Sequence, residues 1–159
     1  MTWRGTTTVK DRIFASLPYL LPLIVGFLQF GQFLLQFQVV QLFFLPLLPV
    51  IVLYQKLGSL GQLIIFFVLF LAVVRNERIA HFIRFNTMQA LLLDILLVLC
   101  SLVLQFLLPA LGTSLITKTL LNIIFLGTVA ACGYSIVQSL LGRYAEIPTL
   151  SEAVHAQVP

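Results

Sequence analysis

Residues 82–95, Phe-Ile-Arg-Phe-Asn-Thr-Met-Gln-Ala-Leu-Leu-Leu-Asp-Ile, decide how the rest of the chain must fold. The stretch starts with polar residues and runs into a long apolar segment that contains the carboxylate of Asp94. A carboxylate near the middle of a bilayer costs about 2.5–3.5 kcal/mol on insertion scales, and polar groups in hydrocarbon need partners. We therefore expect the other segments to pack as helices against this one and to shield its polar face.

The overall composition is that of a membrane protein. Hydrophobic residues make up 60% of the 159 residues and charged residues 9%, whereas soluble domains have about 45–50% apolar and about 25% charged residues. The net charge of +4 is small and the basic residues are not clustered, which argues against a nucleic-acid partner. The composition predicts an all-α, polytopic membrane protein with a single domain, 1–159, and the lipid bilayer as a partner.

Apolar runs long enough to cross a bilayer predict four transmembrane helices, at 13–37, 59–74, 86–109 and 119–141. A further apolar run, 39–55, contains Pro46 and Pro49, which interrupt helical hydrogen bonding. We predict that this run is a broken, re-entrant or interfacial segment, and that 143–159 forms a short tail.

The distribution of basic residues supports this count of spans. If 39–55 does not cross, seven basic residues lie on one side of the membrane and two on the other; if it crosses, the split is five against four. The positive-inside rule favours the first arrangement. The side with seven carries Arg4, Lys10, Arg12, Arg75, Arg78, Arg84 and Arg143, and the other carries Lys56 and Lys118. Both termini are therefore expected on the cytoplasmic or stromal side.

Two sets of polar residues predict polar helix faces inside the bundle. Three glutamines of the first span recur at i, i+3 and i+7, and four polar residues of the third span lie within about 20° of one line along the helix. These faces either form hydrogen bonds between helices or line a hydrophilic conduit, and the residues alone leave both interpretations open. The candidate polar seam consists of Gln29, Gln32, Gln36, Thr87, Asp94, Ser101 and Gln105.

Other patterns predict packing and helix ends. Small residues at every fourth position of the fourth span predict a ridge for close helix packing: Gly127, Ala131, Ser135 and Ser139. Thr8 followed by Asp11 predicts a cap for the first helix. In the tail, Leu150, Val154 and Val158 would share the apolar face of a short helix that makes interface contacts.

No residue pattern typical of catalysis or metal binding is found in the sequence. His81 and His155 lack a nearby serine or cysteine nucleophile pattern, and the chain has no glycine-rich phosphate loop. Cys100 and Cys132 lie in apolar runs without a metal-ligand spacing. We predict a protein that is not an enzyme, with no catalytic residues, no metal site and no cofactor.

Three blocks of the sequence resemble the Tic-twenty (Tic20) family. They are 17–24, 134–154 and 73–95, the last reading Val-Val-Arg-Asn-Glu-Arg-Ile-Ala-His-Phe-Ile-Arg-Phe-Asn-Thr-Met-Gln-Ala-Leu-Leu-Leu-Asp-Ile. This family comprises the twenty-kilodalton membrane component of the protein translocon at the chloroplast inner envelope and its cyanobacterial relatives. The resemblance implies a four-helix membrane protein without enzymatic activity. Its family-motif loop would include Arg75, Asn76, Arg84, Asn86 and Gln89.

The resemblance also implies a function. It points to a component of a protein translocation complex that lines a polypeptide-conducting channel and works with other membrane subunits or as a homo-oligomer on an unfolded polypeptide. The short segment before the first span favours a cyanobacterial or plastid-encoded member, in a cyanobacterial membrane or the chloroplast inner envelope. Two alternatives are a small-solute or ion transporter and a non-conducting structural or assembly subunit. A four-helix bundle fills its own centre with side chains, so a pore would need further copies or partners.

Overall fold

The computed structural model describes residues 8–31, 36–112, 115–147 and 150–158, and these ranges are helical without a strand. The helices are α1 (Val9–Ser16), α2 (Leu20–Phe30), α3 (Gln38–Phe44), α4 (Leu48–Leu69), α5 (His81–Leu111), α6 (Leu115–Leu140) and α7 (Leu150–Gln157). Short 3-10 turns occur at Leu17–Tyr19 and Leu45–Leu47, and a π-helical turn occurs at Phe70–Val74. Four helical stretches are long and apolar enough to cross a membrane: Val9–Phe30, Gln38–Val74, His81–Leu111 and Leu115–Leu140. The prediction of an all-α polytopic membrane protein is confirmed.

The described part of the first span is formed by α1 and α2. Thr8 Oγ1 accepts a hydrogen bond from the Asp11 backbone N–H at 3.1 Å, and an Asp11 carboxylate oxygen accepts one from the Thr8 backbone at 3.2 Å. This reciprocal cap, predicted from the two residue types, starts the helix at Val9. Gly31 is the C-cap of α2, so the described helix ends at Phe30.

The apolar run 39–55 is helical but interrupted. A 3-10 turn containing Pro46 separates α3 from α4, and Pro49 lies in the first turn of α4, where a missing N–H breaks no helical hydrogen bond. A second break lies at Gly58, whose φ of 69° is in the left-handed region that glycine tolerates best. The predicted second span, 59–74, thus begins directly after a kink. The position of 39–55 relative to the bilayer stays a prediction.

Helix α5 is longer than the predicted third span, 86–109. It begins at His81 and ends at Leu111. Asp94 is thirteen residues from this start, which places it about 20 Å along the helix axis at 1.5 Å per residue. Its carboxylate therefore lies near the middle of this 31-residue helix.

The first span packs between α5 and α6, and α7 packs on α5. The contact between α2 and α6 is tight at Gly26, where an added Cβ would lie 2.9 Å from Thr128 Cγ2. Phe44 anchors α3 to this core, with its ring centroid 4.3 Å from that of Phe27 and 5.9 Å from that of Phe125. The buried residues of α4 are Ile51 and Tyr54, so most of this helix lies at the edge of the bundle.

Candidate functional site

A buried polar cluster joins the first span, α5 and α6 at the beginning of α5. The Tyr19 hydroxyl donates a hydrogen bond to Asn86 Oδ1 at 2.8 Å and accepts one from Gln89 Nε2 at 3.0 Å. Ser139 Oγ of α6 donates to the same Asn86 oxygen at 3.0 Å. All four side chains are fully buried. The Asn86 side chain therefore holds Tyr19 of the first span and Ser139 of α6 against α5.

Gln89 extends this polar cluster to the carboxyl-terminal tail. Its Nε2 also donates to the Ala145 carbonyl at 3.0 Å, and its Oε1 accepts from Ser151 Oγ at 2.8 Å. Ser151 Oγ in turn accepts from the Ile147 backbone N–H at 2.7 Å. The Gln89 side chain thus uses both of its donor hydrogens and its acceptor inside the protein, as a buried amide requires. We define the polar cluster as Tyr19, Asn86, Gln89, Ser139 and Ser151.

Aromatic contacts beside the polar cluster hold the tail against α5. His81 Nδ1 is 2.9 Å from the Tyr144 hydroxyl, and its Nε2 is 3.2 Å from the Val158 carbonyl. Because a carbonyl only accepts, Nε2 carries the hydrogen. The Phe85 ring centroid is 5.0 Å from that of Tyr144 and 4.9 Å from that of His155. Val158 is buried, so the predicted apolar face of α7 makes its contacts with protein.

The family-motif loop divides into two groups of residues. Asn86 and Gln89 belong to the polar cluster, whereas Arg75, Asn76 and Arg84 stabilise the turn before α5. Arg84 Nε donates to the Val74 carbonyl at 2.8 Å, and Asn76 Oδ1 accepts from the Arg78 backbone N–H at 3.1 Å. The guanidinium carbon of Arg75 lies 5.8 Å from the centroid of the Phe70 ring. Arg84 and Arg75 therefore stabilise the end of the π-helical turn, in addition to carrying charge.

Asp94 lies away from the polar cluster, in a cavity of about 640 Å³ between α2, α4 and α5. The Asp94 side chain is buried, with 8% of the residue exposed, and its Oδ1 has no hydrogen-bond partner among the described residues. Amide, hydroxyl and carboxyl groups in the cavity wall come from Gln29, Tyr54, Ser59, Gln62 and Asp94. We call this space the acidic cavity. It brings together two members of the candidate polar seam, Gln29 and Asp94.

The other members of the candidate polar seam are not brought into this cavity. Thr87 is fully buried beside a different, mainly apolar cavity of about 470 Å³ between the first span and the 69–83 region. Ser101 is half-buried, and Gln105 is exposed. The seam is discontinuous because α5 has different neighbours along its length: Thr87 lies beside α1 and the 69–83 region, and Asp94 beside α2 and α4. Gln36 lies beyond the end of α2 and is exposed, and Gln32 is outside the described residues.

The predicted small-residue ridge of α6 is also divided. Ser135 and Ser139 are fully buried, but Ala131 is half-buried and Gly127 is exposed, and these two line a cavity of about 630 Å³ between α5, α6 and α7. The buried face of α6 follows alternating spacings of three and four residues: Phe125, Thr128, Cys132, Ser135 and Ser139. This spacing matches a helix seam more closely than a repeat of every fourth residue does.

Sequence reasoning missed Tyr19 and Ser151 as members of the polar cluster. The available signal was that Asn86 and Gln89, both amides on an apolar helix, need partners from elsewhere in the chain. Which hydroxyls supply these partners depends on tertiary packing. Within the described residues, no group of three or more His, Cys, Asp or Glu side chains is arranged to hold a metal ion.

Comparison with known proteins identifies the family. The family described as "Chloroplast import apparatus Tic20-like" matches residues 8–154. A "Tic20 family protein" of Synechocystis is 50% identical over 160 aligned residues, covering 99% of each chain. "Tic20 family protein Ycf60" of Gracilaria tenuistipitata is 36% identical, covering 95% of this chain and 76% of the relative. "Protein TIC 20-v, chloroplastic" of Arabidopsis thaliana is 34% identical, covering 94% and 71%. The chain therefore belongs to the Tic20 family.

Proposed function

We propose that this chain is a membrane-embedded subunit of a protein-translocating complex. The observation that carries the proposal is the extent of the family match, 8–154, which includes all four apolar helical stretches. The family description refers to the chloroplast import apparatus, and two relatives are named as chloroplastic TIC proteins of Arabidopsis. The partners are the lipid bilayer, other membrane subunits or further copies of the chain, and an unfolded polypeptide. This role requires no catalytic step.

The geometry favours a packed subunit over a single-chain pore. The polar groups of Asn86 and Gln89 are occupied by hydrogen bonds that hold helices together. Thr87 and Asp94 adjoin separate cavities, and Gln105 is exposed on the outside of the described bundle. A polypeptide path would therefore run along a surface that the chain shares with other subunits or copies, since a four-helix bundle fills its own centre.

The proposal includes a topology with both termini on the cytoplasmic or stromal side of a cyanobacterial membrane or the chloroplast inner envelope. The contacts of the tail support this topology, because α7 packs on the beginning of α5 and His81 contacts Val158. The tail therefore lies at the same end of the bundle as Arg75 and Arg78. This arrangement agrees with the basic residues expected on that side.

The experiment that tests the function uses a stalled passenger in native membranes. A precursor protein fused to a tightly folded domain is arrested during membrane passage, then isolated after mild solubilisation. We expect this chain to be recovered with the arrested precursor. It should be absent when the precursor lacks its targeting region. Equal recovery with both precursors, or recovery with neither, would contradict membership in the translocating complex.

A second experiment locates the passenger relative to α5. A photo-crosslinking residue is placed at Ser101, which is half-buried on the predicted seam, and in a separate variant at Phe67, which is exposed on α4. Adducts with the arrested precursor from position 101 and not from position 67 would place the path along α5. Adducts from position 101 with fixed membrane subunits alone would assign this face to subunit packing.

A further inference from the structure

The acidic cavity contains a hydrogen-bond acceptor that the described protein leaves unused. Asp94 Oδ1 is buried without a hydrogen-bond partner, although Gln29 and Gln62 line the same space. A buried polar atom without a hydrogen-bond partner is costly in a membrane protein. The geometry thus calls for a donor from outside the described chain.

The walls of the cavity indicate which kind of donor fits. The described residues that line the cavity include no Lys, Arg or His, so the carboxyl group faces no positive charge there. Most of the wall is apolar, formed by Val25, Leu28, Leu63, Phe66, Ile95, Val98 and Leu99. A small ion would leave these apolar walls uncovered. An aliphatic stem that ends in a positive charge, as in lysine or arginine, matches both the walls and the acid.

The depth and size of the cavity indicate how the donor is delivered. Asp94 is about 20 Å along α5 from its beginning, so a donor has to reach a position well inside the helical bundle. The volume of about 640 Å³ is in the range of sites that hold large ligands. The walls belong to α2, α4 and α5, and α4 lies at the edge of the bundle, where a helix from another protein has access.

We propose that the acidic cavity receives a lysine or arginine side chain from a transmembrane helix of a partner subunit, whose charged end donates a hydrogen bond to Asp94. A basic residue in a membrane helix is itself costly, so pairing it with Asp94 relieves the cost on both proteins. Such a pair also sets which helix docks and in which register, because an unmatched helix would leave both charges buried without partners. The inference rests on the proposed function only in taking the partner to be another subunit.

The test uses purified full-length protein in phosphatidylcholine vesicles and synthetic transmembrane helices. Each helix is a leucine–alanine sequence of about 20 residues with one central residue, which is lysine, leucine or glutamate. Association is measured by energy transfer between dyes on the protein and on the peptide. We expect the lysine helix to bind at least about tenfold more tightly than the leucine helix. The Asp94→Leu variant should lose this difference, whereas Ser101→Ala on the same helix should keep it.

Two further variants test whether a loss of binding comes from the loss of the carboxylate or from misfolding. Asp94→Asn preserves the shape of the side chain and should reduce the preference for lysine several-fold. Asp94→Lys should reverse the preference, so that the glutamate helix binds more tightly than the lysine helix.

Equal binding of the lysine and leucine helices to the unmodified protein would overturn the proposal. So would displacement of the lysine helix by millimolar potassium or methylammonium chloride, which would mark a site for small cations. The assay contains no precursor, so its result is independent of the stalled-passenger experiment.

Discussion

Asn86 determines the positions of three segments through one amide group. Its Oδ1 accepts from the hydroxyls of Tyr19 and Ser139, and its Nδ2 donates to the Phe82 carbonyl at 2.8 Å. Both lone pairs of the amide oxygen are thus in use. A leucine of similar size could form none of these three hydrogen bonds.

Replacement of Asn86 by leucine should destabilise the bundle. The Asn86→Leu variant removes the acceptor and leaves two hydroxyls buried without it, at about 1–3 kcal/mol for each orphaned group. The measurement is equilibrium unfolding in mixed detergent micelles, followed by helical circular dichroism. The matched control is Gln105→Leu, because Gln105 is a polar residue of the same helix that is exposed. An equal loss of stability in both variants would contradict the assignment of Asn86 to a structural cluster.

Gly26 allows α2 to approach α6 closely, and this too can be tested at a single residue. Gly26→Ala places a Cβ 2.9 Å from Thr128 Cγ2, and we expect a loss of about 1–3 kcal/mol from overpacking. Thr128→Ala removes that methyl group, so the double variant should recover much of the loss. Gly133→Ala is the control, since a Cβ at that position meets nothing within 4 Å. Additive effects in the double variant would show that the two residues are not in contact.

At the scale of elements, α7 is held by its buried face and by the polar cluster together. Val154 is fully buried, whereas Ala156 of the same helix is exposed. Val154→Asp would bury an unpaired charge and should detach α7 from α5. Ala156→Asp should leave it attached. Amide hydrogen exchange of 150–158 measures the difference, with protection expected in the unmodified protein and in Ala156→Asp. Strong protection in Val154→Asp would mean that the polar cluster alone retains the tail.

Local sequence was sufficient for most of the elements. The four spans follow from apolar length, the cap from Thr8 and Asp11, and the break in 39–55 from Pro46, because each of these signals acts within a few residues. Helix α5 begins at His81, and polar residues near its start form hydrogen bonds with the tail and with the preceding turn, which are contacts that local sequence does not predict.

The candidate site was less predictable than the elements. Periodicity predicts that Asp94 lies on the same helix face as Thr87 and Gln105, but it contains no information about the neighbour at each position along α5. In the structure Asp94 is buried, whereas Gln105 is exposed. Apart from the Phe82 carbonyl, the partners of Asn86 and Gln89 are more than fifty positions away in the sequence, so only the assembled structure identifies them.

At the scale of the whole molecule, the topology yields a direct prediction. In a background of Cys100→Ala and Cys132→Ala, single cysteines are placed at four exposed positions: Lys10, Lys56, Glu77 and Glu152. We expect a membrane-impermeant maleimide to reach positions 10, 77 and 152 from one side and position 56 from the other, because 39–55 does not cross. Labelling of positions 10 and 56 from the same side would contradict the four-span topology.

The attachment of the tail to Gln89 has a consequence for biosynthesis. A chain is made from its amino terminus, and its parts begin to fold as they emerge from the ribosome. The first span, α5 and α6 are complete in sequence before Ser151 and Val158 are made, yet these residues supply the last hydrogen bonds to Gln89 and His81. The beginning of α5 therefore stays incompletely bonded until residues 150–158 have been made, and the newly inserted helices reach their final arrangement only after this segment has left the ribosome.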